Sequence, residues 1–212
     1  MPPSSERQEL FENWASGYDA LPRTEGEFPF DGYEQLLDTV CEQAHSSAGQ
    51  LVLDLGCGTG NLAARLLKTG CTVYGVDFSA AMLKAARLKS PQIHFIKADL
   101  LLEWPEELPS HFDCIVSSYV LHEFDLATKM KMLLNMAGEH LQEGGELIVG
   151  DISFPTAEVR TEASKQWRER WDDDEYYWAA DEVLALCPEG GLEASYTQVS
   201  NCAGVYQFSL SQ

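Results

Sequence analysis

The chain has 212 residues, 45% hydrophobic and 23% charged, a length and balance suited to one well-buried domain. Its 14 Lys and Arg against 34 Asp and Glu leave a net charge of −20, which argues against nucleic acid and against an anionic membrane surface as partners. Six scattered cysteines without a Cys-x-x-Cys pair, no apolar signal core behind Met1-Pro2-Pro3, and no apolar segment of membrane-spanning length point to a soluble protein of the reducing cytoplasm with no disulfide framework.

Ser5 followed by Gln8 is a capping-box pattern, and Leu10, Phe11, Trp14 and Tyr18 recur at helical spacing, which predicts an N-terminal helix. Residues 19–32 hold Pro22, Gly26, Pro29 and Gly32 and read as a loop. Tyr33, Leu36, Leu37 and Val40 predict a helix over 33–45. Leu51-Val52-Leu53 is a short apolar run entering a glycine loop; Leu62, Ala63, Leu66 and Leu67 then form a helical face stopped by Gly70. Thr72–Val76 predicts a second strand. Ser79 caps a helix carrying Met82, Leu83 and Ala86, with Pro91 past its end. Ile93–Ile96 and Cys114–Val116 are the next two strands. Asp125 opens a helix bearing Met130, Leu133, Leu134, Ala137 and Leu141, and Gly144-Gly145 turns the chain into Leu147-Ile148-Val149. Val159, Ala163, Trp167 and Trp171 repeat every four residues and predict one more helix. Residues 192–200 and 203–210 predict a hairpin turning at Asn201-Cys202.

Strands alternating with helices imply parallel pairing with helices on both faces, and continuously apolar strands fit burial on both sides. The expected fold is α/β: a doubly wound, Rossmann-like, seven-stranded sheet, mostly parallel, with an antiparallel C-terminal hairpin.

The strongest local signal is Leu53-Asp54-Leu55-Gly56-Cys57-Gly58-Thr59-Gly60-Asn61, where a strand turns into a helix. Glycine there permits positive φ and lets a ligand approach bare backbone, while the helix start offers unpaired amides. The second strand runs into Gly75-Val76-Asp77, which places an acid where it can accept both hydroxyls of a ribose. Ala98-Asp99-Leu100 follows the third strand, so Asp54, the loop, Asp77 and Asp99 converge on the carboxyl edge of the sheet. Taken singly, the loop also fits a plain glycine turn and Asp77 a capping or surface acid. The loop reads Gly-x-Gly-x-Gly behind an Asp, not Gly-x-Gly-x-x-Gly. A carboxylate is unhelpful to a pyrophosphate and favourable to a cationic sulfonium, which tips the balance away from a nicotinamide dinucleotide.

On these residues the segment 51–152 resembles the core of the class I S-adenosylmethionine-dependent methyltransferases. Leu53–Gly60, with Gly56, Cys57, Gly58 and Gly60, is similar to their first motif, and Leu141-Gln142-Glu143-Gly144-Gly145 to the turn before their fifth strand, with Glu143 where Pro is usual. The resemblance implies S-adenosyl-L-methionine as cofactor and S-adenosyl-L-homocysteine as product. It implies Asp54 and Gly56 at the methionine end, Asp77 on the ribose, Phe78 and Met82 beside the adenine, and Asp99, between Ala98 and Leu100, on the adenine amino group. Trp14 and Tyr18-Asp19 resemble an aromatic lid over the cofactor, while core packing of an amphipathic helix accounts for them equally well. The implied organisation is one domain over 1–212: N-terminal helices and lid over 1–45, a cofactor-binding core over 51–152, and a substrate-side helix with the terminal hairpin over 153–212.

In the family the stretch Ser117-Ser118-Tyr119-Val120-Leu121-His122-Glu123-Phe124 faces the methyl group. His122 is the candidate to take a proton from a hydroxyl or thiol acceptor, or else it orders the loop. The segment lacks the Asn/Asp-Pro-Pro-Tyr/Phe pattern of enzymes that methylate adenine or amide nitrogens. With the acidic charge, this directs the expectation to a small-molecule acceptor. Asp172-Asp173-Asp174-Glu175 beside Tyr176-Tyr177-Trp178 reads either as a wall for a cationic or planar ligand or as a solvated acidic turn. It lacks the spacing of a calcium loop, and no metal is expected. The chain is expected to be a monomer or homodimer. Two other readings stay open: a cofactor-binding protein without catalysis, and, less favoured, an NAD-dependent oxidoreductase.

Overall fold

The strands are β1 (Leu51–Leu55), β2 (Thr72–Asp77), β3 (His94–Lys97), β4 (Phe112–Ser118), β5 (Leu141–Phe154), β6 (Trp178–Ala179), β7 (Leu192–Gln198) and β8 (Ala203–Leu210). They come from a computed structural model, which describes residues 12, 17–20, 26–99 and 104–211. The sheet order is β3-β2-β1-β4-β5-β8-β7. The first five pair in parallel and the terminal hairpin antiparallel. The two-residue β6 adds a short parallel pairing to the end of β5, making eight strands where seven were expected.

Strand residues alternate between faces, so each strand feeds two cores. Val52, Val73, Val116 and Ile148 pack under α1 (Tyr33–Gln43), α2 (Asn61–Leu66) and α3 (Ala80–Lys89). Leu53, Leu55, Ile115 and Leu147 pack under α4 (Leu126–Glu139) and α6 (Ala180–Leu186). Leu36, Leu37 and Val40 give α1 a stripe no more than 1% exposed, each such side chain contributing about 1.5–3 kcal/mol. That helix lies so close to β5 that a Cβ on Gly150 would come within 2.5 Å of Leu36 Cδ2. Two expected helix caps form: Ser79 Oγ accepts from the Met82 amide and Asp125 Oδ1 from the Thr128 amide.

Three expectations are corrected. Leu141, expected on the helix that Asp125 opens, instead begins β5, because that helix ends at Glu139. The helix expected to carry Val159 through Trp171 is α5 (Ala157–Gln166), capped by Thr156 and already ended at Trp167. Trp167 and Trp171 instead stack on Phe28, at 5.3 and 5.4 Å between ring centres, so packing on one ring produced the spacing. Gly144-Gly145 does not precede β5 but lies inside it, where the pairing jumps from Phe112–Leu141 to Cys114–Glu146. Helix α6 and strand β6 carried no clear period and were not foreseen. Of the expected N-terminal helix, Leu10, Phe11 and Trp14 lie outside the described residues, and Tyr18–Ala20 form a 3₁₀ turn. All six cysteines are free thiols. Among the described residues no helix is long and apolar enough to cross a membrane.

Candidate active site

The carboxyl ends of β1, β2 and β4 open into a cleft between the loops that follow them. One wall is the loop after β1. Gly56 sits at φ 68°, and a Cβ there would meet Val120 Cγ2 at 2.4 Å, so only glycine lets the two loops close together. Gly58 donates its amide to Asp77 Oδ2 at 2.8 Å, and Ser79 donates to Oδ1 at 2.8 Å. Burial raises the Asp77 carboxyl above its usual range, against the pull of these two amides. Each oxygen keeps lone pairs for a ligand, and the side chain lines the cleft. Phe78, Met82 and Asp99 continue the same wall.

The opposite wall comes from the loop after β4. Tyr119 holds φ 54° in the left-handed region, which a non-glycine residue enters at a cost of about 1–2 kcal/mol. Its ring stacks on Tyr33 at 5.3 Å and meets Phe30 edge-on at 5.5 Å. Its hydroxyl is buried with no hydrogen-bond partner among the described residues. Val120, Glu123 and Phe124 complete this side.

Tyr18 reaches the cleft because Asp19 is tied to the glycine loop. Asp19 accepts from Thr59 Oγ1 at 2.7 Å, Asn61 Nδ2 at 3.0 Å and Lys89 Nζ at 2.7 Å. Partial burial opposes its charge, but the bonds from Lys89, Thr59 and Asn61 outweigh it and hold the carboxyl below its usual range.

Several expected site residues lie elsewhere. Asp54 alternates with Leu53 and so points down among the α2 residues, fully buried and off the cleft lining. Burial pushes its carboxyl up to about 8; the Ala63 amide pulls the other way without closing a full hydrogen bond to either oxygen. Gly60 is the residue that caps α2 and backs onto Phe95, outside the cleft. Ser117 is fully buried and donates its hydroxyl to the Leu55 carbonyl; its neighbour Ser118 lines the cleft instead. Ala98 faces a separate hollow with Trp104 and Leu108. Leu100 and Trp14 lie outside the described residues. Gly56, Cys57, Gly58, Asp77, Phe78, Met82, Asp99 and Tyr18 do line the cleft.

His122 is behind the wall, not on it, in the 3₁₀ turn Leu121–Glu123. Its Nδ1 lies 2.6 Å from Asp151 Oδ1, and its backbone amide donates to Asp151 Oδ2 at 2.9 Å. Asp151, at 0% exposure, also accepts from the Ile152 amide at 2.8 Å and from Trp178 Nε1 at 3.0 Å. Burial alone would lower the imidazole; the Asp151 charge and hydrogen bond, with Glu175 and Glu123, push it up to about 9. The structure thus sets His122, the expected proton acceptor, off the cleft lining, where Asp151, Glu175 and Glu123 favour its protonated form. Sequence reasoning also missed Asp151 and Lys129. The Lys129 side chain is buried over the Trp178 ring, 4.4 Å from its centre, and donates to the Tyr176 carbonyl. Asp172, Asp173 and Asp174 are exposed, with Asp173 paired to Arg168, whereas Glu175 turns in toward His122.

A family model described as a methyltransferase domain matches residues 52–145. An uncharacterized methyltransferase of Geobacillus kaustophilus is 34% identical over 200 residues, covering 90% of each chain. Among solved structures, magnesium protoporphyrin IX methyltransferase from Synechocystis with bound SAH superposes with a TM-score of 0.70 at 19% identity, covering 97% of this chain and 100% of that one. The [4+2]-cyclase SpnF superposes with a TM-score of 0.75 at 16% identity, covering 100% and 98%. The sheet order, the glycine loop with its acid, and a relative alike over nine-tenths of both chains agree: this chain belongs to the class I S-adenosylmethionine-dependent methyltransferase family.

Proposed function

We propose that the chain is a single methyltransferase domain that methylates a small molecule held between the glycine loop and the Tyr119–Phe124 wall. The observation that carries this reading is the Asp77 carboxylate standing beside the bare backbone of Gly58, where a Cβ would meet nothing within 4 Å. The fit to S-adenosylmethionine is good on that wall. Asp77 would accept the ribose hydroxyls, Phe78 and Met82 would flank the adenine, and Asp99 would take its amino group. Asp54 would act through the loop that it underlies.

S-adenosylmethionine supplies a methyl group already activated by its sulfonium, which passes to an acceptor lone pair and leaves S-adenosylhomocysteine. The protein's part is alignment and exclusion of water. Tyr18 and Tyr33 line the cleft, and Glu123 would place negative charge beside a cationic ligand. A small acceptor is supported by the enclosed aromatic wall and by the net charge of −20, which repels phosphate backbones.

Calorimetric titration with S-adenosylmethionine, S-adenosylhomocysteine and NAD tests the reading. Micromolar binding of the first two and none of NAD is expected. Silence with the sulfur ligands would overturn the function and leave the fold. Binding without turnover across acceptor panels would favour the non-catalytic reading, since one fold hosts different activities.

A further inference from the structure

We propose that His122, Glu123 and Glu175 form a binding site for a divalent first-row transition-metal ion, set into the acceptor-side wall of the cleft. One ligand atom from each, His122 Nε2 and a carboxylate oxygen of either acid, lie within 4.8 Å of one another. Nε2 is 3.8 Å from Glu123 Oε1 and 3.8 Å from Glu175 Oε1. That is longer than a direct N–H···O bond, so the acids attract the ring nitrogen through charge without a close hydrogen bond to it. An ion bound at about 2.0–2.2 Å holds adjacent ligands roughly 3 Å apart. The set therefore needs to contract by about an ångström or two, within the reach of two glutamate side chains.

A second, independent feature is the support behind the imidazole. Metal-bound histidines donate their other ring N–H to a carboxylate, which fixes the ring and aims the free nitrogen. Asp151 does this at 2.6 Å and is itself held by Ile152 and Trp178. The His122 side chain is only 9% exposed, with Nε2 aimed between the two acids. Tyr177 hydrogen-bonds Glu175 in turn. Three carboxylates crowd one imidazole here, an arrangement that a dication satisfies better than a single ring proton. On binding, the ion takes the place of the proton on Nε2, which leaves to solvent.

One imidazole and two carboxylates, with no thiolate, suit zinc, manganese, iron or cobalt better than magnesium or calcium. Because Glu123 lines the cleft, the ion's open positions would face the acceptor and could polarise its oxygen, nitrogen or sulfur. That use rests on the methyltransferase reading; the binding itself does not.

The test takes the full chain stripped with a chelator and titrates it with Co²⁺, read by its visible absorption bands, and with Zn²⁺ by calorimetry, with Mg²⁺ as comparator. One equivalent of Co²⁺ or Zn²⁺ is expected to bind at roughly 10 μM or tighter, with Mg²⁺ far weaker. His122→Gln and Glu175→Gln are each expected to weaken binding at least tenfold, and Asp151→Asn by about tenfold or more. Asp174→Asn, on the exposed part of the acidic run, should leave it unchanged. Circular dichroism checks each fold, and Glu175→Gln, at the rim, carries the test if His122→Gln does not fold. No binding up to about 1 mM, or binding indifferent to Glu175→Gln, overturns the site and assigns any metal to the acidic surface. A parallel titration with S-adenosylmethionine keeps the two claims apart: metal bound without it sinks the methyltransferase reading alone, and the reverse sinks the metal site alone.

Discussion

The Asp77 carboxylate accepts the Gly58 amide at 2.8 Å, so the acid that ends β2 also braces the loop that leaves β1. One side chain thus shapes the loop and offers its remaining lone pairs to the cleft. Replacing it with Ala removes two ribose acceptors and frees two amides. Asp77→Ala is expected to weaken S-adenosylmethionine binding at least tenfold, about 1.4 kcal/mol or more, by calorimetry. Undiminished affinity would place the cofactor elsewhere.

Gly56 tests the fit of the two cleft walls. An alanine there must hold a positive φ and push Val120 aside from 2.4 Å. Gly56→Ala is expected to cost about 1–3 kcal/mol in urea denaturation and to weaken cofactor binding. Val120→Ala in the same chain should restore part of both, because it removes the clashing methyl groups while the strained φ stays. A single mutant as stable as the parent would mean the loops do not meet this way.

What could be read from the sequence was local. The strand, the glycines of the loop and Asp77 declare themselves because each is a backbone requirement or a strand-end position, and alternation of strands with helices implies parallel pairing but leaves the strand order to the structure. Asp54 and Ser117 could be placed on strands, but the face each side chain takes depends on register, and both turned into the layers beneath. The His122–Glu175 proximity and the Asp19 ties to Thr59 and Lys89 join residues distant in sequence, so no short-range pattern announces them. Trp167 and Trp171 show the converse: helical spacing arose from two side chains stacking on Phe28 beyond the helix end.

His122 and Lys129 make opposite contributions to the pH dependence of stability. His122 is raised from 6.5 to about 9, so its contribution is full below 6.5 and is lost as pH rises through about 9. Lys129 is lowered by burial from 10.5 to about 7, so its cost is full below about 7 and lifts as pH rises toward 10.5. Denaturation of the metal-free protein at several pH values, compared with His122→Gln and Lys129→Met, separates them. The parent's advantage over His122→Gln should shrink between pH 6.5 and about 9. Any advantage of Lys129→Met over the parent should also shrink above about pH 7. Gaps that stay constant with pH would mean that neither group changes protonation on folding.

Tyr119 offers a way to find the acceptor's position. Its hydroxyl is buried at the cleft without a partner among the described residues, so the folded chain loses no bond when that oxygen goes. Tyr119→Phe is therefore expected to hold or gain stability, by up to about 1 kcal/mol, because an unsatisfied polar group leaves the interior. The ring stacking on Tyr33 and Phe30 remains, so the wall keeps its shape. Cofactor affinity should be unchanged, since the contacts on the Asp77 wall are untouched. Against this background, a rise in acceptor KM of about tenfold would identify the hydroxyl as a direct partner of the acceptor. A melting temperature several degrees lower would instead reveal a bond made by that hydroxyl in the free protein, and Tyr119 would then belong to the scaffold.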